Sequence, residues 1–410
     1  MAIEKIHINR FLELSKNIPV LDVRSPSEFE HASIPGAHNL PLLTDEERKI
    51  VGTAYKQQSR EAAIKLGLDF FGPKMRKMVE EVESIVRSHK PGARSESEIK
   101  NKSGANLELP TYDSRPVLLH CWRGGMRSAG VAWLLDLYGF KVYTLIGGYK
   151  NYRKWIVETF SLPYSFTILG GYTGSGKTYV LDELEKNGQA VINLEKLANH
   201  KGSAFGNIGM PKQPTQEMFE NLLATELRTV SPQAKEVSIQ YQPSIESGNT
   251  KSSNLANRTE VTINYKLQTT NHIWLEDESQ RIGRVNIPHN LWNTMRQSPI
   301  LFLAIPFEER LKHIVQEYGL LDKEQMLEAI TRIEKRLGGL ETKSAQQHLK
   351  DGDISSCFRI LLRYYDKWYS KGLNNRDQLT SLLTNFACET VEAGIIATRI
   401  IEKNFRYHEK

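Results

Sequence analysis

The stretch GYTGSGKT, residues 171–178, constrains the fold of this 410-residue chain more than any other. It has the spacing G-x-x-x-x-G-K-[ST], follows the apolar run FTIL and precedes YVLDELEKNG, which has the pattern of a helix. A strand, a glycine loop and a helix in this order predict a phosphate-binding loop in an α/β domain. Loop N–H groups would face a phosphate, and the lysine would add a full positive charge. The residues predicted to bind phosphate are Gly171, Gly174, Ser175, Gly176, Lys177 and Thr178.

Two other segments could complete this site. The apolar strand HIWLED ends in Glu276 and Asp277, which could hold a magnesium ion or its water together with Thr178. Solvated acids at the end of a strand are the alternative explanation. Arg332 and Arg336, in RIEKRLGG, could form a lid over the phosphates, although charges on a helix face are usually just solvated. A nucleoside triphosphate is the usual ligand of such a loop, but the cradle fits any diphosphate.

A second distinctive stretch, HCWRGGMRSAG at 120–130, follows the apolar run PVLL. A structural cysteine packs as a small hydrophobe and needs no such neighbours, whereas a reactive thiolate needs nearby N–H groups and positive charge. The five residues between Cys121 and Arg127 can form a loop whose N–H groups converge above the sulfur, with Arg127 closing the ring. This cradle would fit a tetrahedral oxyanion such as phosphate or a selenium-bearing phosphate. Its predicted members are Cys121, Arg123, Gly124, Gly125 and Arg127.

The cysteine count and the hydropathy exclude several classes of protein. The chain has three cysteines and no Cys-x-x-Cys spacing, which argues against a disulfide framework or a zinc site. Cys357 and Cys388 lie in apolar patterns typical of helices, so we predict that both belong to the core. No apolar run reaches the ~18 residues of a membrane span, and the first residues lack the apolar stretch of a signal peptide. We therefore expect a cytoplasmic protein with no membrane contact.

Alternating strand and helix signals, and a length too great for one ordinary core, predict an α/β protein of two domains. The first, a parallel-sheet domain, would cover 1–160 with a helical excursion at about 44–94. The second, at 161–410, would hold the phosphate loop and a helical C-terminal part, with a polar inserted loop or hairpin at 231–270. Within the insertion, EVSIQY and EVTINYKL are candidate strands.

The net charge is +6, and most of the basic excess lies in the first predicted domain, where 24 Lys and Arg face 19 Asp and Glu. This balance permits a phosphate-rich partner without requiring one, because solvated charge is the commoner explanation.

Taken together, the motifs resemble a known family. LDVRSPSEFEHASIPGAHNLP with HCWRGGMRSAG is similar to rhodanese domains, which are built on a small parallel sheet. When ERKIVGTAYKQQSREAAIKLG, GGYTGSGKT, LEKLANHKGSAFG, WLEDESQRIG and KRLGG…LLRYYDKWY are added, nearly the whole chain resembles the bacterial tRNA 2-selenouridine synthases. The implied architecture is a rhodanese-like domain followed by a P-loop domain of the NTPase or kinase type. Two features depart from the family: Asn193 stands where an Asp is usual, and the stretch 231–270 is longer.

The resemblance also implies a function. A 2-thiouridine at the wobble position of tRNA would be S-geranylated with geranyl diphosphate, and selenium from selenophosphate would then replace the geranylthio group. Cys121 would carry the selenium as S-selanylcysteine, and the phosphate loop would hold the diphosphate. The expected partners are tRNA and these two cosubstrates, with no tightly bound cofactor and with Mg²⁺ as a candidate ion at Thr178.

Two other functions fit parts of the sequence. A cysteine, five residues and an arginine match the spacing of protein tyrosine phosphatases, some of which have a rhodanese-like fold, but that function leaves the phosphate loop unexplained. A nucleotide-dependent RNA-binding protein with a vestigial rhodanese domain would need no thiol, whereas Cys121 is present.

Two groups of basic residues are candidates for contact with RNA. The group at 359–369 lies among aromatic residues, which suits phosphate contact and base stacking. An amphipathic helix with aromatics in the core is at least as good an explanation for this group. The first group is Lys49, Lys56, Arg60 and Lys65; the second is Arg359, Arg363 and Lys367 among Tyr364, Tyr365, Trp368 and Tyr369.

Overall fold

The computed structural model describes residues 3–89, 115–231 and 272–403. The chain forms two compact units: Met1–Thr159 with Pro214–Ala224, and Phe160–Gln213 with Thr225–Lys410. The sequence pattern places Pro214–Ala224 in the second domain, whereas this segment packs with the first unit. The candidate strands EVSIQY and EVTINYKL, and all of the predicted insertion except Ser231, lie outside the described residues.

Unit 1 is built on a five-stranded sheet of order β1-β5-β4-β2-β3, in which every pairing is parallel. Parallel strands are buried on both faces, which explains why PVLLH and KVYTL read as continuous apolar runs. The segment IPGAHNLPL contains a two-residue edge strand. The strands are β1 (Ile3–Ile6), β2 (Val20–Asp22), β3 (His38–Asn39), β4 (Pro116–His120) and β5 (Lys141–Leu145).

The helices of unit 1 begin at well-defined caps. Ser25 and Glu28 form a capping box at the start of α2, and Thr44 and Glu47 form another at the start of α3. Three helices occupy residues 45–88 of the predicted helical excursion, and a 3₁₀ turn at Gly72–Lys74 separates the last two. The helices are α1 (Ile8–Leu14), α2 (Pro26–His31), α3 (Asp45–Gln57), α4 (Arg60–Phe71), α5 (Met75–Ser88), α6 (Met126–Tyr138) and α7 (Gly148–Thr159).

Unit 2 has a second parallel five-stranded sheet, of order β12-β11-β6-β8-β7, and a small antiparallel hairpin of β9 and β10. The α/β class with parallel sheets is therefore confirmed. The strands are β6 (Phe166–Gly171), β7 (Ala190–Ile192), β8 (Ile273–Glu276), β9 (Arg281–Ile282), β10 (Val285–Asn286), β11 (Ile300–Ala304) and β12 (Leu383–Ala387).

The C-terminal third is largely helical, with one exception. Cys388, which the sequence pattern places in a helix, directly follows β12, an edge strand parallel to β11; it is buried, as predicted. A short apolar run such as NFAC fits either element, so its periodicity does not decide between them. The helices are α8 (Lys177–Lys186), α9 (Leu194–Ala198), α10 (Gln216–Val230), α11 (His289–Arg296), α12 (Phe307–Tyr318), α13 (Lys323–Arg332), α14 (Glu334–Leu337), α15 (Gly339–Lys350), α16 (Ile354–Asn374), α17 (Leu379–Leu382) and α18 (Ala393–Glu402).

No helix within the three described ranges combines the length and the apolar character that crossing a membrane requires.

Backbone packing around the loop after β4 leaves no room for a side chain at Gly148. A Cβ atom there would lie 2.3 Å from the carbonyl oxygen of Cys121 and 2.5 Å from the backbone nitrogen of Gly124, and Gly148 has φ +58°. Both the contact and the left-handed backbone therefore require glycine.

We expect Gly148→Ala to destabilise unit 1 by about 3 kcal/mol, because it adds a backbone clash to the strain of a positive φ. Gly139→Ala is the matched control: Gly139 also has a positive φ, but a Cβ there meets no described atom within 4 Å, so we expect a loss of only about 1 kcal/mol. Urea denaturation of both variants measures the difference. Equal losses would show that the packing around Cys121 is looser than described.

Candidate functional site

Cys121 lies at the carboxyl end of β4, in the turn that leads into α6. Its side chain is buried, and the sulfur lies 3.3 Å from the Ser128 hydroxyl oxygen. Gly124 has φ +67°, and Gly125 is the N-cap of α6. The turn thus directs backbone N–H groups toward the sulfur, as the sequence pattern predicts.

The surroundings of Cys121 favour the thiolate. Burial alone would raise its pKa, but hydrogen bonds from the Ser128 hydroxyl and from the backbone N–H groups of Ser128, Arg123 and Gly125 lower the pKa below the ordinary thiol value. Burial raises the pKa of Cys357 to about 12 and also raises that of Cys388. Cys121 is therefore the cysteine whose environment suits nucleophilic chemistry. Ser128 was not selected from the sequence, although it stands within the motif.

The structure gives Arg127 a partner other than the predicted one. Its guanidinium nitrogen NH1 lies 2.8 Å from Oε2 of Glu28, a residue 99 positions earlier in the chain. The side chain of Arg123 is exposed. In this structure, backbone N–H groups and Ser128 surround the sulfur, and Arg127 is held in an ion pair, so the closure of the ring by Arg127 stays a prediction.

A buried polar network fixes the backbone on both sides of Cys121. Asp22 and Arg24 form a bidentate ion pair, and Nε2 of His120 lies 3.7 Å from Asp22 Oδ2. The Arg24 guanidinium lies 3.7 Å from the ring centroid of Tyr149, whose backbone N–H donates to the Cys121 carbonyl at 2.8 Å. Asp22, Arg24 and Tyr149 are almost fully buried, and the ion pair, the guanidinium–ring contact and the backbone hydrogen bond restrain the loop. Within the described residues, the ring nitrogens of His120 have no hydrogen-bond partner.

The phosphate loop joins β6 to α8 in unit 2. Gly174 and Gly176 have φ +83° and +70°, which directs loop N–H groups inward. Lys177 Nζ lies 2.8 Å from the carbonyl oxygen of Gly171. Ser175 is fully buried, and among the described residues its hydroxyl oxygen has no hydrogen-bond partner. This geometry fits the predicted cradle.

An acid that the sequence analysis did not select contacts Thr178. The Thr178 hydroxyl donates to Glu195 Oε2 at 2.9 Å, and the Glu195 N–H donates to Glu276 Oε1 at 2.7 Å. Burial and the charge of Glu195 raise the pKa of Glu276 to about 8, and burial also raises the pKa values of Glu195 and Glu278. Glu195 follows β7, the strand beside β8, and this position was the available signal in the sequence.

Asp277 is engaged elsewhere. Tyr369 donates its hydroxyl to Asp277 Oδ2 at 2.6 Å and accepts the Gly171 N–H at 3.1 Å, and Arg376 pairs with the other carboxylate oxygen. Through Tyr369, Asp277 thus links α16 to the start of the phosphate loop. Glu195, rather than Asp277, contacts Thr178.

The candidate Mg²⁺ site has suitable oxygen donors. The Thr178 hydroxyl and the carboxyl groups of Glu195 and Glu276 lie together, and Glu276 Oε2 is buried without a hydrogen-bond partner in the described part of the chain. Residues 3–89, 115–231 and 272–403 contain no cluster of three or more His, Cys, Asp or Glu that could hold a metal by itself. A phosphate-bound Mg²⁺ needs only one or two protein ligands, so these residues fit it.

A cavity of about 1220 Å³ opens beside the phosphate loop within unit 2. Arg336 lines this cavity, and its guanidinium lies 5.6 Å from the ring of Trp368. Arg332 is absent from the lining that the described residues form, and donates instead to the carbonyl of Ala204. Of the two predicted lid residues, only Arg336 faces the cavity. The lining also includes Ser175, Lys177, Thr178, Glu195, Glu276, Glu278, Trp292, Tyr364, Tyr365, Trp368 and Tyr369.

The two predicted RNA-contact groups differ in their surroundings. In α16, all four aromatic side chains line the cavity, and Arg359 pairs with Glu308. In α3 and α4, the four basic side chains Lys49, Lys56, Arg60 and Lys65 are exposed. The first group is thus free to meet a phosphate backbone, whereas the aromatics of the second group belong to the cavity.

The chain matches the family model described as the tRNA 2-selenouridine synthase AAA domain over residues 164–241 and 249–387. A tRNA 2-selenouridine synthase of Bdellovibrio bacteriovorus is 30% identical over 419 residues, covering 92% of this chain and 94% of the relative. Its counterpart in Hydrogenovibrio crunogenus is 31% identical over 406 residues, covering 90% and 93%. That of Sulfurovum sp. is 32% identical over 385 residues, covering 86% and 88%. The similarity therefore extends over both units.

We expect Ser128→Ala to raise the pKa of Cys121, because it removes a hydrogen bond that favours the thiolate. The pH at which iodoacetamide alkylates Cys121 at half its maximal rate should therefore rise. Peptide mass spectrometry resolves Cys121 from Cys357 and Cys388, which serve as internal references. An unchanged pH profile would assign the lowered pKa to the backbone N–H groups alone.

Proposed function

The chain belongs to the tRNA 2-selenouridine synthase family, and on this premise we propose that it converts 2-thiouridine at the wobble position of tRNA to 2-selenouridine. It is an enzyme of tRNA modification. The observation that carries the proposal is the pair of anion-binding loops, one beside an ionisable thiol and one beside an aromatic-lined cavity. Two phosphate-bearing reagents, geranyl diphosphate and selenophosphate, would account for two such loops. A phosphatase function would not explain the phosphate loop of unit 2.

In the proposed first step, the thiouridine sulfur attacks C1 of geranyl diphosphate. A C–S bond forms, the C–O bond breaks, and diphosphate leaves with the bonding electron pair, while N3 of the uridine releases its proton to solvent. Loop N–H groups and Lys177 stabilise the charge that develops on the diphosphate. The aromatic lining, which includes Trp292 and Trp368, supplies an apolar surface for the geranyl chain.

Mg²⁺, when bound, would neutralise further diphosphate charge. Thr178, Glu195 and Glu276 are the side chains that would hold it. The backbone N–H groups and Lys177 act on the diphosphate independently of the ion.

Geranylation prepares the uridine for exchange. A thiocarbonyl sulfur is a poor leaving group, whereas the S-alkylated sulfur leaves as a thiol. In the proposed second step, a C–Se bond forms at C2, the C–S bond breaks, and geranylthiol leaves with a proton. If water supplies the oxygen that converts the selenophosphate phosphorus to phosphate, the overall exchange involves no net oxidation.

We assign the covalent role in selenium transfer to Cys121. The family resemblance implies S-selanylcysteine: forming this S–Se bond from selenophosphate breaks the Se–P bond, leaves its electron pair on phosphorus and releases phosphite. An external thiol must then supply two electrons to break the S–Se bond as selenium moves to C2. Attack on phosphorus would form an S–P bond and release hydrogen selenide without a change of oxidation state. Both routes need the thiolate, which Ser128 and the loop N–H groups stabilise. The selenium isotope pattern of the protein adduct distinguishes them.

Lys177→Ala should abolish geranylation, because the variant loses the positive charge that stabilises the departing diphosphate. Since exchange requires the geranylated uridine, 2-selenouridine should be absent as well. Mass spectrometry of tRNA nucleosides measures both products. The matched control is Lys186→Ala, an exposed lysine in the last turn of the same helix, which should keep both steps. Normal geranylation by Lys177→Ala would show that the diphosphate does not bind at this loop.

Cys121→Ser should separate the two steps. The hydroxyl stays protonated at neutral pH and cannot replace the thiolate, so S-geranylated tRNA should accumulate while 2-selenouridine fails to form. Cys388→Ser, which changes a buried cysteine of unit 2, should keep both activities. A normal yield of 2-selenouridine from Cys121→Ser would eliminate the covalent role.

We also propose that α3 and α4 contact tRNA phosphates. Binding should weaken at least about tenfold between 50 and 200 mM salt, because each phosphate contact releases counterions. Replacing Lys49, Lys56 and Lys65 by Ala should weaken binding and reduce the salt slope. The matched control replaces Lys323, Lys343 and Lys350, three exposed lysines of unit 2, and should leave the slope unchanged. Equal slopes for both triple variants would place the tRNA elsewhere.

A further inference from the structure

Glu28 joins the Cys121 loop to α3 through one carboxylate. Its Oε2 atom accepts a hydrogen bond from Arg127 NH1 at 2.8 Å and lies 2.9 Å from Arg48 Nε. The Ser25 N–H also donates to this atom at 3.2 Å. Two guanidinium groups therefore share a single carboxylate oxygen, and one of them belongs to the second residue of α6.

The carboxylate of Glu28 is well shielded, and its two partners differ in exposure. The side chain of Glu28 is 14% exposed, that of Arg127 is 23% exposed, and that of Arg48 is 50% exposed. Although burial opposes it, the hydrogen bond and charge of Arg127, the Ser25 N–H and the hydrogen bond of Arg48 lower the pKa of Glu28 to about 2. The Glu28 carboxyl is thus ionised at neutral pH. Its negative charge offsets the positive charge of Arg127.

We propose that Glu28 is a positioning residue that sets the charge of the Cys121 loop by competing with a bound oxyanion for Arg127. This inference rests on the proposed function, because it takes the loop to bind the phosphate group of selenophosphate. Without an anion, Arg127 pairs with Glu28. When an anion binds beside Cys121, the guanidinium turns to it and leaves Glu28 to its other partner.

Arg48 makes this exchange energetically possible. A carboxylate as buried as Glu28 is costly to leave without a cation. Because Arg48 already contacts the same oxygen, loss of Arg127 leaves Glu28 paired. Arg48 should therefore favour anion binding although it lies on α3, outside the loop.

A purely structural role for Glu28 makes a different prediction. Glu28 completes the capping box of α2 by accepting the Ser25 N–H, and the side-chain amide oxygen of a glutamine can accept the same bond. Glu28→Gln therefore keeps the cap and removes the charge. Only the charge-setting role predicts that this variant binds anions more tightly than the unmodified enzyme.

Inorganic phosphate is the probe, and protection of Cys121 from iodoacetamide is the readout. The concentration that halves the alkylation rate should fall about threefold to tenfold in Glu28→Gln, because Arg127 is freed from a partly buried ion pair. It should rise about twofold to threefold in Arg48→Gln. The matched control, Glu30→Gln, changes an exposed glutamate of the same helix and should have no effect.

Arg127→Gln and the double variant Glu28→Gln/Arg127→Gln complete a cycle. With Arg127 absent, removal of the Glu28 charge should no longer tighten phosphate binding. Arg127→Gln and the double variant should therefore give the same half-protection concentration. If Glu28→Gln leaves the native half-protection concentration unchanged, or tightens binding equally without Arg127, the inference is overturned. If phosphate fails to protect Cys121 in the unmodified enzyme at all, the proposed oxyanion site fails, which is a separate result.

Discussion

Both units depend on the same constraint: a parallel strand ends at the centre of its sheet, and the turn that follows leaves backbone N–H groups free to bind an anion. β4 and β6 are each the middle strand of five, and the Cys121 loop and the phosphate loop follow their carboxyl ends. The helices after these loops begin at glycines, Gly125 and Gly176, which have no side chain to cap the first turn. The first N–H groups of both helices therefore remain available for a ligand.

The two loops differ in the functional group that they add to this common strand–turn–helix frame. After β4 the added group is a thiol, whose pKa falls because Ser128 and three backbone N–H groups favour the thiolate over the opposing effect of burial. After β6 it is Lys177, close to the buried carboxyl of Glu276 and the half-buried carboxyl of Glu195. One frame is thus suited to a nucleophile and the other to a diphosphate. Under the proposed function, the first serves selenium transfer and the second serves geranylation.

The features that local spacing specifies were predictable, and those that depend on distant residues were not. The glycine loops, the sheet class and the strands around Cys121 follow from patterns a few residues long. The partner of Arg127 is Glu28, which lies on another helix, and no local rule joins them. The same holds for Glu195 beside Thr178 and for Tyr369 between Gly171 and Asp277. The pattern around Cys388 predicts a helix, whereas the structure has an edge strand that ends at Ala387, because a short apolar run fits either element.

If two sites act in a fixed order on one uridine, a handover between two variants that each lack one step tests this most directly. A tRNA containing 2-thiouridine is treated with Cys121→Ser and geranyl diphosphate, repurified, and then given to Lys177→Ala with selenophosphate alone. If the sites act in this order, 2-selenouridine appears in the nucleoside profile of this sample. With the two enzymes in the reverse order, each with its own reagent, S-geranylated uridine and no selenium are expected. Selenium incorporation in both orders, or in neither, would contradict the fixed order.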